Sequence, residues 1–177
     1  EAEKVLQQKR KCINAVVEAA GKFQKSKTGA LMVFEMQTKL GDIIDTGTIV
    51  NAEPSVPIIG NIFWNKAPLH DGAMVIRDGM IYAAGCILPL TKSDKVSIDL
   101  GTRHRAAIGM SENSDAIVVV VSEETGQISI AVNGVLTRNY TRETLQSALE
   151  ALLLPEENAN GEKRASRIPS IRRGRKS

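Results

Sequence analysis

Ala116-Ile117-Val118-Val119-Val120-Val121 constrains the fold more than any other segment of the chain. Every position is apolar, and five in succession are β-branched. Side chains of this kind are stiff at χ1 and favour a pleated surface over a helix. A run that is apolar at both parities must be covered on both faces, so it reads as a central strand, buried and of parallel type.

The partners for such a strand are legible on either side of it. Gly29–Phe34 is a second short apolar run and reads as a buried strand. Ala73–Ile76 and Met80–Ala84 flank Arg77-Asp78-Gly79, and Asp-Gly between two apolar runs is a hairpin signal. The second arm of that hairpin is expected to continue through Cys86, Ile87 and Leu88 until Pro89 limits it. Ile128, Ile130 and Val132 alternate within Gln127–Val132, the pattern of a strand with one buried face. Residues 39–53 mix Gly, Asp and Thr with short Ile/Val pairs, giving turns and a brief strand.

Helices account for the rest. Leu6, Ile13, Val16, Val17, Ala20 and Phe23 recur at helical spacing and predict a helix over residues 1–25, either packing on the body or continuing from an upstream linker. Pro54 and Pro57 suit a first helical turn, after which Ile58, Ile59, Ile62, Phe63 and Trp64 would form the buried face. Thr102 stands near the start of a short helix over Arg103–Met110. Thr141 caps a helix over Arg142–Leu154, which Pro155 stops. The expected fold is α/β with mixed character: a central mixed sheet of about six strands, flanked by helices at both chain ends. Three segments follow: an N-terminal helix at 1–25, a body at 26–154, and a flexible basic tail at 155–177.

Composition narrows the function classes. The net charge of +3 is uneven, because residues 155–177 hold seven Lys/Arg against three Asp/Glu and leave the rest of the chain at −1. The tail reads as a solvated end or as an electrostatic contact to an anionic membrane or nucleic acid. Aromatics make up only 3% of the chain, too few for the stacking platforms of single-stranded nucleic-acid binding. Cys12 and Cys86 lack metal-type spacing and read as buried thiols in a cytosolic setting. No apolar stretch of about 18 residues is present. The chain begins with Glu1, so it reads as part of a longer protein, with room for an anchor upstream.

Three segments carry candidate chemistry. His70 and Asp71 precede Gly72 and the strand at Ala73. Asp71 offers a hard carboxylate for Mg²⁺ or Mn²⁺, or a base for a hydroxyl nucleophile, and Gly72 permits close approach of a ligand; an ordinary turn has the same sequence. In Gly101-Thr102-Arg103-His104-Arg105, two arginines flank a histidine at a helix opening, where free N–H groups and the positive dipole end bind phosphate. A basic turn capped by Thr102 is the alternative. Ser122-Glu123-Glu124 follows the long β-branched run, a usual place for ligand contacts, with Glu123 or Glu124 as a second carboxylate; a charged turn before Gly126 is the alternative. No Walker loop, Rossmann fingerprint, zinc spacing or Gly-x-Ser-x-Gly elbow is present.

Taken in order, these segments resemble the diadenylate cyclase family. The likeness covers roughly residues 1–154. It rests on Gly29-Ala30-Leu31-Met32-Val33, Pro68-Leu69-His70-Asp71-Gly72-Ala73, Leu88-Pro89-Leu90, Leu100-Gly101-Thr102-Arg103-His104-Arg105-Ala106-Ala107 and Val121-Ser122-Glu123-Glu124-Thr125-Gly126. It is similar to the membrane-anchored type, taken without its anchor, and the resemblance implies a cytoplasmic catalytic domain.

The resemblance implies condensation of two ATP into cyclic di-AMP and two pyrophosphates. It places Asp71 at the reacting 3′-hydroxyl, with Gly72 and Ala73 lining the nucleotide pocket and Leu88 near adenine. Thr102, Arg103, His104 and Arg105 would hold the triphosphate, with Ser122 beside it. Glu123, with His70, would hold the divalent metal (Mn²⁺ or Mg²⁺, with Co²⁺ as an alternative), and Glu124 is the substitute. Ile87 stands where this branch often carries an aromatic residue. Two opposed attacks call for two ATP-loaded sites face to face, hence a transient homodimer. A regulatory protein partner is compatible with this reading; a direct nucleic-acid role is not expected. The rivals are a nucleotide-binding regulatory module without catalysis and a nucleic-acid-binding domain that uses the tail.

Overall fold

The computed structural model describes residues 1–94, 96, 100–157, 163 and 164. The loop expected at 91–99 falls partly, and the tail expected at 155–177 mostly, outside the described residues.

Seven strands form the main sheet: β1 (Ala30–Phe34), β2 (Thr48–Ala52), β3 (Ala73–Arg77), β4 (Met80–Cys86), β5 (Ile117–Val121), β6 (Ile128–Val132) and β7 (Val135–Tyr140). Their order is β2-β4-β3-β1-β5-β6-β7. Among the described residues, β1 and β3 are the one parallel pair. A separate two-residue ladder pairs β8 (Glu156–Glu157) with β9 (Lys163–Arg164).

Among the described residues, five helices accompany the sheet. They are α1 (Ala2–Ser26), α2 (Gly41–Ile44), α3 (Val56–Phe63), α4 (Thr102–Glu112) and α5 (Arg142–Leu153). One face of the sheet carries Met32, Met74, Val119 and Ile130 under Ile13 and Phe23 of α1, Phe63 of α3 and Leu145 and Leu149 of α5. The other carries Leu31, Val33, Val75, Val118 and Val120 under Ala106, Ala107 and Met110 of α4 and Ile44 of α2. Val118, Val119 and Val120 thus alternate between two covered faces, which is why that run is apolar throughout. No helix among the described residues is long and apolar enough to cross a membrane.

Local chemistry sets the boundaries. Asp78 (φ 51°) and Gly79 (φ 74°) both take left-handed backbone, closing the expected two-residue hairpin between Arg77 and Met80. Ser55 Oγ accepts from Ile58 N at the start of α3, with proline in its first turn. Thr141 and Thr144 form a reciprocal capping box at the start of α5.

Several expectations need correction. The strand β5 is antiparallel to both β1 and β6, not of parallel type. A run apolar at both parities reports two covered faces and carries no strand direction. By the same logic β6 is buried on both faces, because α4 covers Ala131 while Ile128 and Ile130 face the other core. Trp64 caps the C-terminal end of α3 and is 62% exposed, outside the buried face formed by Ile59, Ile62 and Phe63. The strand β4 ends at Cys86; Ile87 is exposed and Leu88 buried beyond it. The short helix α2 and the seventh strand β7 were absent from the expected set. Asn133 (φ 49°) and Gly134 (φ 79°) close the β6–β7 hairpin in the same manner as Asp78-Gly79, so the turn signal for β7 was present in the chain.

Candidate active site

Given this topology, the starts of β1, β3 and β6 and the ends of β4, β5 and β7 share one edge of the sheet, and the N-terminus of α4 lies beside it. A cavity of about 840 Å³ opens there. Asp71 and Gly72 come from the approach to β3, Cys86 to Leu88 from the end of β4, Thr102 to His104 from α4, and Ser122 to Glu124 from the loop after β5. The three segments singled out for chemistry, far apart in the chain, therefore meet at one place, with the end of β4 beside them.

Each wall has a local cause. The first helical residue of α4 is Thr102 and its N-cap is Gly101, which supplies no side-chain cap. The backbone N–H groups of Thr102, Arg103 and His104 have no partner among the described residues and stay available to an anion. Thr102 is thus the first residue of the helix and does not cap it. Arg103 lies over Gly29: a Cβ there would sit 2.5 Å from its Cζ and 2.6 Å from Nη1. Arg103 Nη1 also lies 3.3 Å from Glu123 Oε2, so a cation and a rim carboxylate hold each other.

Ser122 organises the loop after β5. Its hydroxyl oxygen accepts from Glu124 N and Thr125 N, both at 3.2 Å, and its carbonyl accepts from Gly126 N at 2.9 Å. The hydroxyl proton remains for donation to a ligand. At the opposite wall, Thr46 Oγ1 at the end of α2 donates to Ile43 O (2.6 Å) and accepts from Ile87 N (2.8 Å), fixing the chain where it leaves β4.

Electrostatics divide the titratable groups. Burial pushes the His104 imidazole below its ordinary value; the Arg138 and Arg103 cations push the same way, and Glu124 acts against them. His104 is therefore a neutral donor or acceptor at pH 7. Burial pushes the Cys86 thiol up to about 11, which leaves it protonated and unreactive on the cavity wall. The Asp71 side chain is 80% exposed at the rim. His70 Nδ1 lies 2.7 Å from Ala67 O and so carries the ring proton, while His70 Nε2 faces Asp71 Oδ1 at 3.3 Å. The Nε2 lone pair and the carboxylate oxygen together suit a cation.

Three expected site residues lie off the cavity wall. Ala73 is fully buried, in the core beneath α4. His70 reaches the site only through Asp71. Arg105 donates from Nε to Leu100 O at 3.4 Å, and its carbonyl accepts from Thr91 N at 3.0 Å, so it braces the loop before α4. Helix geometry is the reason: residues two apart point in opposed directions, so Arg103 lines the cavity while Arg105 turns away from it. Gly72 lies on the cavity wall, and its lack of a side chain has a second use. A Cβ there would lie 2.6 Å from the carbonyl carbon of Gly85, so its smallness serves backbone packing between β3 and β4. Wall residues that sequence reasoning missed are Leu31, Leu90, Leu100, Gln127 and Arg138.

Among the described residues no three His, Cys, Asp or Glu side chains gather as a metal cage. The hard oxygens of Asp71 and Glu123 suit Mg²⁺ or Mn²⁺, provided that a ligand's phosphate oxygens complete the shell.

The chain matches the sequence model of the DAC family, described as "DisA bacterial checkpoint controller nucleotide-binding", over residues 17–136. It is 47% identical over 141 residues to cyclic di-AMP synthase CdaA of Bacillus subtilis, covering 80% of this chain and 52% of that protein. It is 54% identical over 110 residues to diadenylate cyclase CdaS of Bacillus thuringiensis, covering 62% and 55%. The chain thus spans about half the length of the curated relatives it matches. Among solved structures, a double mutant of DacA from Staphylococcus aureus superposes with a TM-score of 0.77 at 46% identity, covering 79% of this chain and 93% of that one. A hypothetical membrane spanning protein from Bacillus cereus superposes with a TM-score of 0.69 at 48% identity, covering 71% and 62%.

Proposed function

The chain belongs to the DAC family, and on that premise we propose that it is the catalytic domain of a diadenylate cyclase, joining two ATP into cyclic di-AMP with release of two pyrophosphates. The observation that carries this reading is the cavity itself, which unites a rim carboxylate with a phosphate cradle. The cradle is the open N-terminus of α4 with Thr102, Arg103, His104 and the Ser122 hydroxyl. The apolar side chains of Leu31 and Leu88 offer a seat for adenine, and Ile87 covers it from the exposed rim.

Asp71 accepts the proton of a 3′-hydroxyl, and that oxygen attacks the α-phosphorus of the ATP held by a second copy. The exposure of Asp71 fits this role, since a base that serves an opposed site must stand at the mouth. A face-to-face pair would remove much of the entropic barrier and exclude water from the reacting atoms. Glu123, with Glu124 as substitute and His70 beside Asp71, would hold Mn²⁺ or Mg²⁺ together with the substrate phosphates. The metal's contribution is to offset charge on the departing pyrophosphate. The name of one structural relative, a hypothetical membrane spanning protein, favours a parent anchored to a membrane.

The test is Asp71→Asn, assayed with ATP and Mn²⁺. Loss of a general base predicts a fall in cyclic di-AMP formation of about 10²–10⁴-fold, with ATP affinity and thermal stability kept. An Asn variant as active as the parent overturns the role.

A further inference from the structure

The strand β7 carries an irregularity that serves the cavity. Ile128 pairs with Tyr140 and Ile130 pairs with Thr137, so two steps along β6 match three along β7. The extra residue lies at Arg138-Asn139, where Asn139 takes left-handed backbone (φ 68°). One inserted residue switches the face of every side chain beyond it. Leu136 accordingly packs against the core under α4, and Tyr140 against the opposite core. Arg138, before the switch, keeps the α4 side and lines the cavity. Without the bulge, Arg138 and Tyr140 would share a face, and one of them would be misplaced.

The charge of Arg138 is uncommitted. It makes no hydrogen bond or ion pair with any described residue, whereas Arg103 holds Glu123 and Arg77 holds Glu35. Its position along the sheet edge is also informative. The apolar wall of Cys86, Ile87 and Leu88 lies at the end of β4, Ser122 at the end of β5, and Arg138 two strands further on. Neighbouring strands are about 4.8 Å apart, so Arg138 stands ~10 Å beyond the strand that leads to Ser122. A ligand that seats its base at β4 and its first phosphate at α4 extends its remaining phosphates toward β7.

Resting on the cyclase reading above, we propose that Arg138 binds the terminal phosphates of the nucleotide and takes up charge on the leaving pyrophosphate. In that step the 3′-oxygen of one ATP bonds to the α-phosphorus of the other. The bond from that phosphorus to the β-phosphate oxygen breaks, and the electron pair leaves with pyrophosphate. The hydroxyl proton passes to Asp71. A guanidinium at the far phosphates gains most as that charge develops.

The experiment compares two ligands and two variants in the presence of Mn²⁺. 3′-Deoxy-ATP carries the triphosphate but no attacking hydroxyl, and AMP lacks the terminal phosphates. Arg138→Ala should weaken 3′-deoxy-ATP by about ten- to a hundredfold, the range for losing a hydrogen bond to a charged group, and leave AMP affinity unchanged. Arg138→Lys should recover part of the loss. Melting temperature should not move, since the replaced side chain is exposed and unpaired among the described residues. Equal losses for both ligands, or none for either, overturn the proposal. A parent protein that cyclises ATP while Arg138→Ala matches it in kcat/KM overturns this inference alone. A parent that binds neither ligand overturns the cyclase reading together with it.

Discussion

Replacing Gly29 by alanine should damage phosphate handling while sparing the fold. The new Cβ would stand 2.5 Å from Arg103 Cζ, 2.6 Å from Nη1 and 2.9 Å from Nε. Carbon contacts settle at about 3.5–4.0 Å, so the guanidinium must move by roughly 1 Å. A displacement of that size at a catalytic group costs about 10²-fold in rate, equivalent to ~2.7 kcal/mol of barrier. Stability should change by less than about 1 kcal/mol, because Gly29 does not use left-handed backbone and the clash is with the far end of a flexible side chain. The assay is kcat/KM for cyclic di-AMP formation alongside a thermal melt, in Gly29→Ala, Arg103→Ala and the double variant. With Arg103 already truncated the clash is gone, so Gly29→Ala should then have no further effect. Parental activity in Gly29→Ala, or an equal loss in the Arg103→Ala background, would refute the reasoning.

Three further outcomes are expected. Gly109→Ala places a Cβ 2.0 Å from Pro89 O and 2.7 Å from Leu90 C and Thr91 N, all backbone atoms that cannot swing aside; it should cost at least about 2 kcal/mol and lower the melting temperature by ~4–8 °C, and a parental melt would contradict the close approach of α4 to that loop. His104 is held below its ordinary value in the fold, so the unfolded chain takes up its proton first as pH falls; the contribution is complete above about pH 6.5 and is lost on descending through the lowered folded value, a slope that should shrink in melts of His104→Gln between pH 8 and 5. Specific activity should rise with protein concentration if the site is completed by a second copy, and a flat dependence alongside a monomer by light scattering would count against it.

Much of the fold was legible because local physics and tertiary packing agree. The β-branched run became the strand β5, Asp78-Gly79 closed the β3–β4 hairpin, and Thr141 capped α5. What stayed hidden depends on partners. Strand direction leaves no mark on a run covered on both faces, so β5 read as parallel. Trp64 follows the last turn of α3, and its exposure depends on where the chain turns out of that helix. Asp71, Arg103, His104, Ser122 and Glu123, which were singled out because each stands at the end of a readable strand or helix, line one cavity. Arg105 lies off its wall, because helical geometry separates the ends of a triplet that the sequence presents as a unit. Arg138 was missed because Asn133-Gly134 went unread and because its orientation depends on a one-residue bulge at Asn139, which only strand pairing reveals.

The most direct test of the account is to incubate the chain with ATP and Mn²⁺ and resolve the products by chromatography. The account predicts cyclic di-AMP with two pyrophosphates released for each molecule formed. ADP with inorganic phosphate, or ATP recovered unchanged at protein concentrations high enough to pair the chains, would contradict it.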